Sequence, residues 1–567
     1  MPSSRRTLAI LLVAALAAGA CEPAPVVTEA PASGGSLPTA AATSTPTEIA
    51  FLHAAWPPTG SACDDPGYAG RLGRIEALDA LTVRFTLCSP DGAFRARLAH
   101  PSLAVLDATT IARLAVDPDV GRTLAGTGPY RIEAWTRDNV RLGLAGPGAD
   151  LTLLDTVVLG WDAAAGARTA AILAASVDGI DAPGALEAEG MTTQPEVAVV
   201  TRPGLATSYL GFGSGPAFAS VRVRRAISMA LDRDALAAAA GTRSIAATHT
   251  APCVVADGCE GAAWIAYNPP SAAAALAAAK FNLEAVYPLR VPDAPGPGLP
   301  DPVGTAEAVR AQLQASLGLE LELQVVPAAT LAADVAEGSV DGLYVTGIAS
   351  SLADASGFLE PLFGQGVGST AAQRATGVGD MLDELSHTTG AAARTALLTT
   401  ANDAVRRTTP IVPLVHPGSV AVFRSDVAGA TTSPLGLEAL GSFTPGDRSQ
   451  LVFTGATEPA GAWCANQVSL DAFRLCGLVT EGLYGFEPGT LAVEPRLAIR
   501  CSPDREATTW TCRLRPDTTF HDGMRLDAGD VLASFVAQWD ATGPARRAEP
   551  EGAFAAWDGL FGPAAFR

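Results

Sequence analysis

Residues Leu81 to Cys88 alternate apolar and polar side chains and are rich in β-branched types. That pattern predicts a strand with Val83, Phe85 and Leu87 on one face. Leu151–Leu159 is a second apolar run of strand length. Between Ser220 and Ala240, apolar Val223, Ile227, Ala230, Leu231 and Leu236 recur at helical spacing, with arginines opposite. Ser271–Phe281 predicts an alanine-rich packing helix, and Thr305–Leu317 an amphipathic helix followed by a strand over Leu319–Val326. Gly379–Leu385, Ala391–Arg407 and Ala528–Trp539 predict further helices, and Trp510–Leu514 a strand. The Pro/Gly-rich stretch 292–304 reads as a long loop. Alternating helices and strands predict an α/β architecture. No short-period repeat interrupts the alternation.

The N-terminus breaks the pattern. Arg5-Arg6 precede an apolar run, Leu8 to Ala18, which ends in Ala18-Gly19-Ala20-Cys21. A charged start, a short apolar stretch and small residues before a cleavage point predict an export signal over 1–20. The run is too short to span a bilayer as a helix. A cysteine directly after the small residues resembles a bacterial lipobox, with Cys21 as the lipidated first residue of the mature chain. Residues 22–47 carry five prolines and almost no large apolar side chain, so 21–47 reads as a tether. As a coil it reaches about 28 Å, at roughly 5–6 Å × √n.

Composition narrows the function classes. The chain has 567 residues, 48% hydrophobic and 17% charged, which is globular and not disordered in character. Fifty-eight acids against 38 bases give a net charge of −20, which argues against a nucleic-acid partner. The single lysine, Lys280, does not sit in a phosphate-loop context. There is no His-Glu-x-x-His, Cys-x-x-Cys, EF-hand loop or Gly-x-Ser-x-Gly elbow. The six histidines, at 53, 100, 249, 387, 416 and 521, are scattered. They read as structural or surface groups, so no metal, cofactor or catalytic residue is expected. Without Cys21, eight cysteines remain. An even number in an exported chain predicts disulfides. Cys501 and Cys512 flank a predicted hairpin, Cys253 and Cys259 bracket a short Asp-Gly loop, and Cys464 and Cys476 enclose eleven residues. Cys63 and Cys88 pair by elimination.

Several runs together resemble the family 5 extracellular solute-binding proteins of ABC importers, the peptide- and nickel-type binding proteins. Gly126-Thr127-Gly128-Pro129-Tyr130 looks like that family's turn into a strand. Val221-Arg222-Val223-Arg224-Arg225-Ala226-Ile227 through Leu231-Asp232-Arg233 looks like its helix of the form VRxAI…DR. Thr509–Arg515 with Phe520-His521-Asp522-Gly523 and Ala528-Gly529-Asp530-Val531 resembles its FxLR…FHDG…AxDV signature. Phe358-Leu359-Glu360-Pro361-Leu362-Phe363 resembles the stretch after its ligand loop. These runs cover most of residues 50–560.

The resemblance implies a two-lobed α/β periplasmic-binding-protein fold, class II-like, with an extra small subdomain, and ligand trapped by hinge closure. It implies an extracytoplasmic, lipid-anchored monomer that passes a peptide-like solute to a membrane permease. The VR helix would pack its apolar face and solvate its arginines, and His521-Asp522 would be a turn. The landmark order differs from the family, because the FHDG segment comes last here. A circular permutation accounts for this better than a tandem duplication with two truncated halves, with 48–125 and 500–567 as halves of the small subdomain. Residues 126–220 and 426–499 would form lobe I and 221–425 lobe II. Strands 82–87 and 509–515 should then share one sheet, with the new termini near Glu48 and Phe566 and a turn-rich linker at 440–450. The family's ligand loop matches Gly347 to Asp354. Its tryptophan position is Ile348, its acid position is Ser351, and Asp354 matches a later acid. Asn466 and Gln467, after Trp463, match the other cleft-lining segment. A nickel-chelate or opine-like binder is the alternative within the fold. An extracellular hydrolase or surface sensor is the alternative outside it.

Overall fold

The computed structural model describes residues 54–565, apart from 146–152, 182, 184, 242 and 550–552. The signal segment, the tether, Cys21, Glu48 and Phe566 lie outside the described residues. Three sheets organise the chain. The first runs in the order Ala54–Trp56, Leu72–Asp79, Thr82–Leu87, Thr509–Leu514, Ala498–Pro503, all antiparallel. Strands more than 400 residues apart therefore share it, as expected of 82–87 and 509–515. Their register puts Phe85 opposite Trp510 and Val83 opposite Cys512. All four side chains are buried, because alternate residues of both strands face one core. Phe94 and Phe535 pack on Phe85 at ring distances of 5.3 and 5.2 Å, and Trp510 lies 5.4 Å from Phe94. Apolar groups from both ends of the described chain thus build a single core.

The second sheet has the order Ile245–Ala246, Ile411–His416, Ala206–Phe212, Leu343–Ala349, Tyr287–Pro292, Leu321–Val326. The third has the order Tyr130–Trp135, Asn139–Leu144, Thr156–Trp161, Gln450–Gly455, Gly179–Asp181, Gly418–Arg424, Val197–Pro203. The chain crosses between them twice. Val197–Pro203 of the third sheet leads through Gly204 and Leu205 into Ala206–Phe212 of the second. Ile411–His416 of the second leads through Pro417 into Gly418–Arg424 of the third. The crossings touch closely: a Cβ on Gly204 would lie 2.1 Å from the Pro417 carbonyl oxygen. Only glycine fits there.

Most predicted elements are present within a few residues. Ala528–Trp539 has the predicted bounds, and Asp527 caps it through a reciprocal capping box with Asp530. The helix expected over 220–240 is two helices, Val221–Met229 and Arg233–Ala239, because Asp232 caps the second through Ala235 N. The strand expected over 151–159 is Thr156–Trp161. Residues 440–450 contain a short 3-10 turn, Leu440–Ser442, and the two-residue strand Thr444–Pro445. One expectation is corrected. The arginines of the VR helix do not all face water: Arg224 is buried and donates to the carbonyls of Thr408, Thr409, Phe218 and Ala219. These oxygens end the long helix Ala391–Thr408 and a 3-10 turn, so a guanidinium fork satisfies acceptors that burial would leave orphaned. The four disulfides join Cys63–Cys88, Cys253–Cys259, Cys464–Cys476 and Cys501–Cys512. The last links directly opposed residues of one strand pair.

Candidate functional site

The segment that ends the strand Leu343–Ala349 carries the predicted ligand loop. A Cβ on Gly347 would lie 2.0 Å from the Pro297 carbonyl oxygen, so glycine lets the loop 297–298 pack onto the strand. Ile348 is half-buried. Ser350 Oγ accepts from Leu352 N at 3.0 Å, which folds the loop back on itself. Ser351 faces the helix Ala555–Phe561: its Oγ is 2.9 Å from where a Cβ on Gly559 would sit. Asp354 is buried. It accepts two bonds from Arg394 Nη2 at 2.9 and 2.8 Å, and one from Ser356 N at 2.9 Å. Its charge is thus matched within the protein.

Asn466 and Gln467 sit in the turn after Trp463. Gln467 staples its own loop, accepting from Ala460 N and donating to the carbonyls of Gly461 and Trp463, each at 2.9 Å. Asn466 donates to Glu549 Oε1 at 2.7 Å, while its Oδ1 is buried without a partner. The turn Cys464–Asn466 packs on the helix Ala555–Phe561, and Trp463 meets Phe554 edge-on at 5.8 Å. The two predicted loops therefore converge on one short helix.

Beside the 347–354 loop opens a cleft of about 440 Å³, lined by Arg71, Arg97, Ser350, Glu360, Asp383 and Ser386 among others. Arg71 belongs to the first-sheet region, and Glu360 to the helix Ser356–Phe363 that follows the loop. Arg71 Nη2 donates to Glu360 Oε2 across the cleft at 3.1 Å. Burial pushes the Glu360 carboxyl above its ordinary value; Arg71 and Arg97 oppose this, and Asp91 and Asp354 reinforce it. Arg97 is buried, pairs with Asp91 and donates to Leu560 O at 2.6 Å. The lining offers both signs of charge within one concave space, which suits a zwitterionic solute. Arg71, Arg97, Glu360 and Arg394 were not singled out from the sequence. Arg394 and Asp354 are 40 residues apart and Arg71 and Glu360 are 289 apart, so no local spacing marks either pair.

A larger cavity of about 920 Å³ lies against the Gly126–Tyr130 turn and the Phe520–Gly523 turn. Here the geometry explains two sequence landmarks. His521 N donates to Gly126 O at 2.8 Å. Its ring Nδ1 accepts from Gly126 N at 3.2 Å, and its Nε2 donates to Gly128 O at 2.8 Å. Both ring nitrogens are spent, so His521 clamps the glycine turn and has no free nitrogen for catalysis. A Cβ on Gly126 would lie 1.9 Å from Val479 O, and one on Gly128 2.6 Å from Leu478 O. Asp522 accepts from Met524 N at 3.1 Å and closes the second turn. In the same region Arg474 and Arg202 share Asp181 and Glu438 in a buried four-membered charge cluster.

Residues 49–370 match the family model described as bacterial extracellular solute-binding proteins, family 5 middle. The chain is 26% identical over 390 residues to the glutathione-binding protein GsiB of Shigella flexneri, covering 64% of this chain and 72% of that protein. It is 25% identical over 386 residues to the probable ABC transporter periplasmic-binding protein SapA of Escherichia coli K12, covering 66% and 70% respectively. The solved structure of HbpA2 from Haemophilus parasuis superposes with a TM-score of 0.59 at 23% identity, over 66% of this chain and 75% of that one. These relatives are binding proteins and not enzymes. Among the described residues no helix is long and apolar enough to cross a membrane.

Proposed function

The chain belongs to the family 5 extracellular solute-binding proteins, and from that premise we propose that it captures a small peptide-like solute and hands it to an ABC permease. Capture takes place in the cleft beside residues 347–354, and the crossings at Gly204 and Pro417 act as the hinge. The observation that carries this reading is the Arg71–Glu360 pair. It spans a space of about 440 Å³ lined by groups of both charges. Gly347 and Ile348, paired with Ser208 and Thr207, fix the strand that carries the loop, Ser351 stands where the family places an acid, and Asp354 orders the loop through Arg394, so that Ser350 and Leu352 line the space. Asn466 and Gln467 position the second wall. With serine at 351, the solute's amino group is recognised by Glu360 or Asp383.

The relatives' names supply two candidate probes: glutathione, from the glutathione-binding protein, and short peptides, from a peptide transport periplasmic protein of Salmonella typhimurium. Titration of protein purified without refolding, read by calorimetry and by melting temperature, tests the reading. A binder raises the midpoint by mass action, and native mass spectrometry shows the mass of any solute carried through purification. Saturable binding of glutathione or a dipeptide that weakens at least tenfold in Glu360→Gln is the expected result. Protein-dependent turnover of these compounds would favour the hydrolase instead.

Two further elements belong to the same proposal. Cys21 anchors the mature protein through lipid, with 21–47 as tether, so Cys21→Ala releases it from membranes; retention at wild-type strength counts against the anchor. The landmark order is a circular permutation, and the sheet shared by 82–87 and 509–514 supports it. The protein acts as a monomer, needs no cofactor and contacts no nucleic acid.

A further inference from the structure

The loop after the short strand Ile245–Ala246 gathers three metal-ligating side chains that the solute site does not use. The sulfur atoms of Cys253 and Cys259 and a ring nitrogen of His249 all lie within 4.8 Å of one another. His249 is 6% exposed, and its Nε2 is buried with no hydrogen-bond partner. Its Nδ1 sits 3.1 Å from Thr248 Oγ1. The same hydroxyl is 3.8 Å from Cys253 Sγ and 3.9 Å from Cys259 Sγ. A second buried ring lies on the neighbouring strand. This is His416, at the end of the crossing strand Ile411–His416 paired with Ile245–Ala246. Its Nδ1 lies 3.3 Å from Ala206 O, an acceptor only, so the proton is on Nδ1 and Nε2 is an acceptor. That Nε2 also has no partner.

The cysteines are joined here as a disulfide, which has no thiolate to offer. Exposure distinguishes this bridge from two of the others. Cys464–Cys476 and Cys501–Cys512 are fully buried, whereas Cys253 is exposed and Cys259 half-exposed. Cys63–Cys88 is also exposed, but among the described residues it has no histidine within ligand reach. An exposed disulfide is open to attack by an external thiol.

We propose that Cys253, Cys259 and His249 form a redox-gated site for one soft or borderline metal ion, of the Zn²⁺ or Cu⁺ class. An external dithiol supplies two electrons and two protons: the S–S bond breaks, two S–H groups form, and the dithiol closes to its own disulfide. Metal entry then displaces both thiol protons to solvent and leaves two thiolates and a neutral imidazole as ligands. A tetrahedral ion with Zn–S near 2.3 Å holds such ligands about 3.5–3.8 Å apart. The bonded sulfurs must first separate, and the imidazole nitrogen, within 4.8 Å of both, must then approach by about 1 Å, which side-chain rotation can supply. Two thiolates and one imidazole match the softness of these ions and not that of Mg²⁺ or Ca²⁺. Oxidised protein does not bind, so the site fills only when the loop is reduced.

The test uses the full chain with Co²⁺ as spectroscopic probe and Zn²⁺ for stoichiometry, before and after treatment with a non-chelating phosphine reductant. Reduced wild type takes up one Zn²⁺ per chain and with Co²⁺ develops thiolate charge-transfer absorption, while oxidised protein shows neither. A Cys63→Ser/Cys88→Ser variant behaves as wild type. A Cys253→Ser/Cys259→Ser variant loses the charge-transfer band, and His249→Ala weakens Zn²⁺ binding about tenfold or more. Circular dichroism and the solute-dependent melting shift of each variant confirm that it is folded. Reduced, folded wild type that binds no Zn²⁺, or His249→Ala that binds as tightly as wild type, overturns the proposal.

Discussion

Arg474 and Arg71 each hold carboxylates, and the settings differ in what surrounds the pair. Arg474 is 1% exposed and bonds to Asp181, Glu438 and Asp471, while Arg202 takes the other oxygens of Asp181 and Glu438. Glu438 is 0% exposed, and the Arg474 guanidinium also stacks on Phe453 at 4.4 Å. Arg71 is 36% exposed and Glu360 24%, and a cleft opens beside them. The acids respond in opposite directions. Burial pushes both sets up, but around Asp181 and Glu438 the two arginines outweigh it and hold the carboxyls below their ordinary values. At Glu360 burial wins. A cluster whose charges are all matched is a fixed part of the scaffold. A pair that water can reach is one the proposed capture would open.

The sharpest way to break this contrast is Arg474→Met. It strands Asp181 and Glu438 with one arginine between them, and unpaired buried charge costs about 3–5 kcal/mol. Urea unfolding should show that loss. Arg474→Met combined with Glu438→Leu should recover part of it, because one acid leaves with the cation. Asp354→Asn comes next. It neutralises the partner of Arg394 and weakens the acceptor of Ser356 N at the start of the helix Ser356–Phe363, a loss of about 1–3 kcal/mol. Arg71→Ala should cost no more than about 1 kcal/mol of stability, because a half-exposed pair is screened, yet it should change solute affinity. If Arg71→Ala unfolds the protein as far as Arg474→Met does, the distinction between scaffold and gate fails.

The same contrast separates what could be read from the chain and what could not. The alternation of Val83, Phe85 and Leu87 and the motif at Thr509–Leu514 carried enough pattern to predict a shared sheet across more than 400 residues. The Gly126–Tyr130 and Phe520–Gly523 turns were legible because each needs particular residue types. His521 was legible as structural, though not the detail that it bonds to Gly126 and Gly128. The loop carrying Gly347, Ser351 and Asp354 came from a motif, but the cleft beside it is lined by other residues, Arg71, Glu360 and Asp383 among them, and neither these nor Asp354's partner Arg394 were marked as site residues. Arg202, Asp181, Glu438 and Arg474 come from four segments with no common spacing, and a buried charge cluster of that kind exists only once the chain has folded. The VR helix misled in one place. Periodicity assigned Arg224 to a polar face, whereas helix-end carbonyls across 180 residues draw it inward.

The smallest effect follows from Glu360 alone. Burial holds its carboxyl above its ordinary value in this structure, which the proposed hinge motion would take as the closed arrangement. Opening the cleft returns it to water and to its ordinary range. For an acid whose value is raised in one state, that state binds more protons between the two values. Closure is therefore favoured when Glu360 is protonated, and the advantage is lost as pH rises through the raised value. The groups facing it are Arg71, Arg97, Asp91 and Asp354. Asp181 and Glu438 run the other way: their stabilisation is present above 3.8 and 4.5 and is lost as pH falls through the lowered values. Scaffold and gate thus give opposite slopes. Closure measured by small-angle scattering should strengthen as pH falls through the raised value, with a slope below about 1.4 kcal/mol per pH unit for one proton. Glu360→Gln should flatten that slope while leaving the acid limb of global unfolding unchanged. A slope that survives in Glu360→Gln would assign the proton to another group in the seam and detach the gate from this carboxylate.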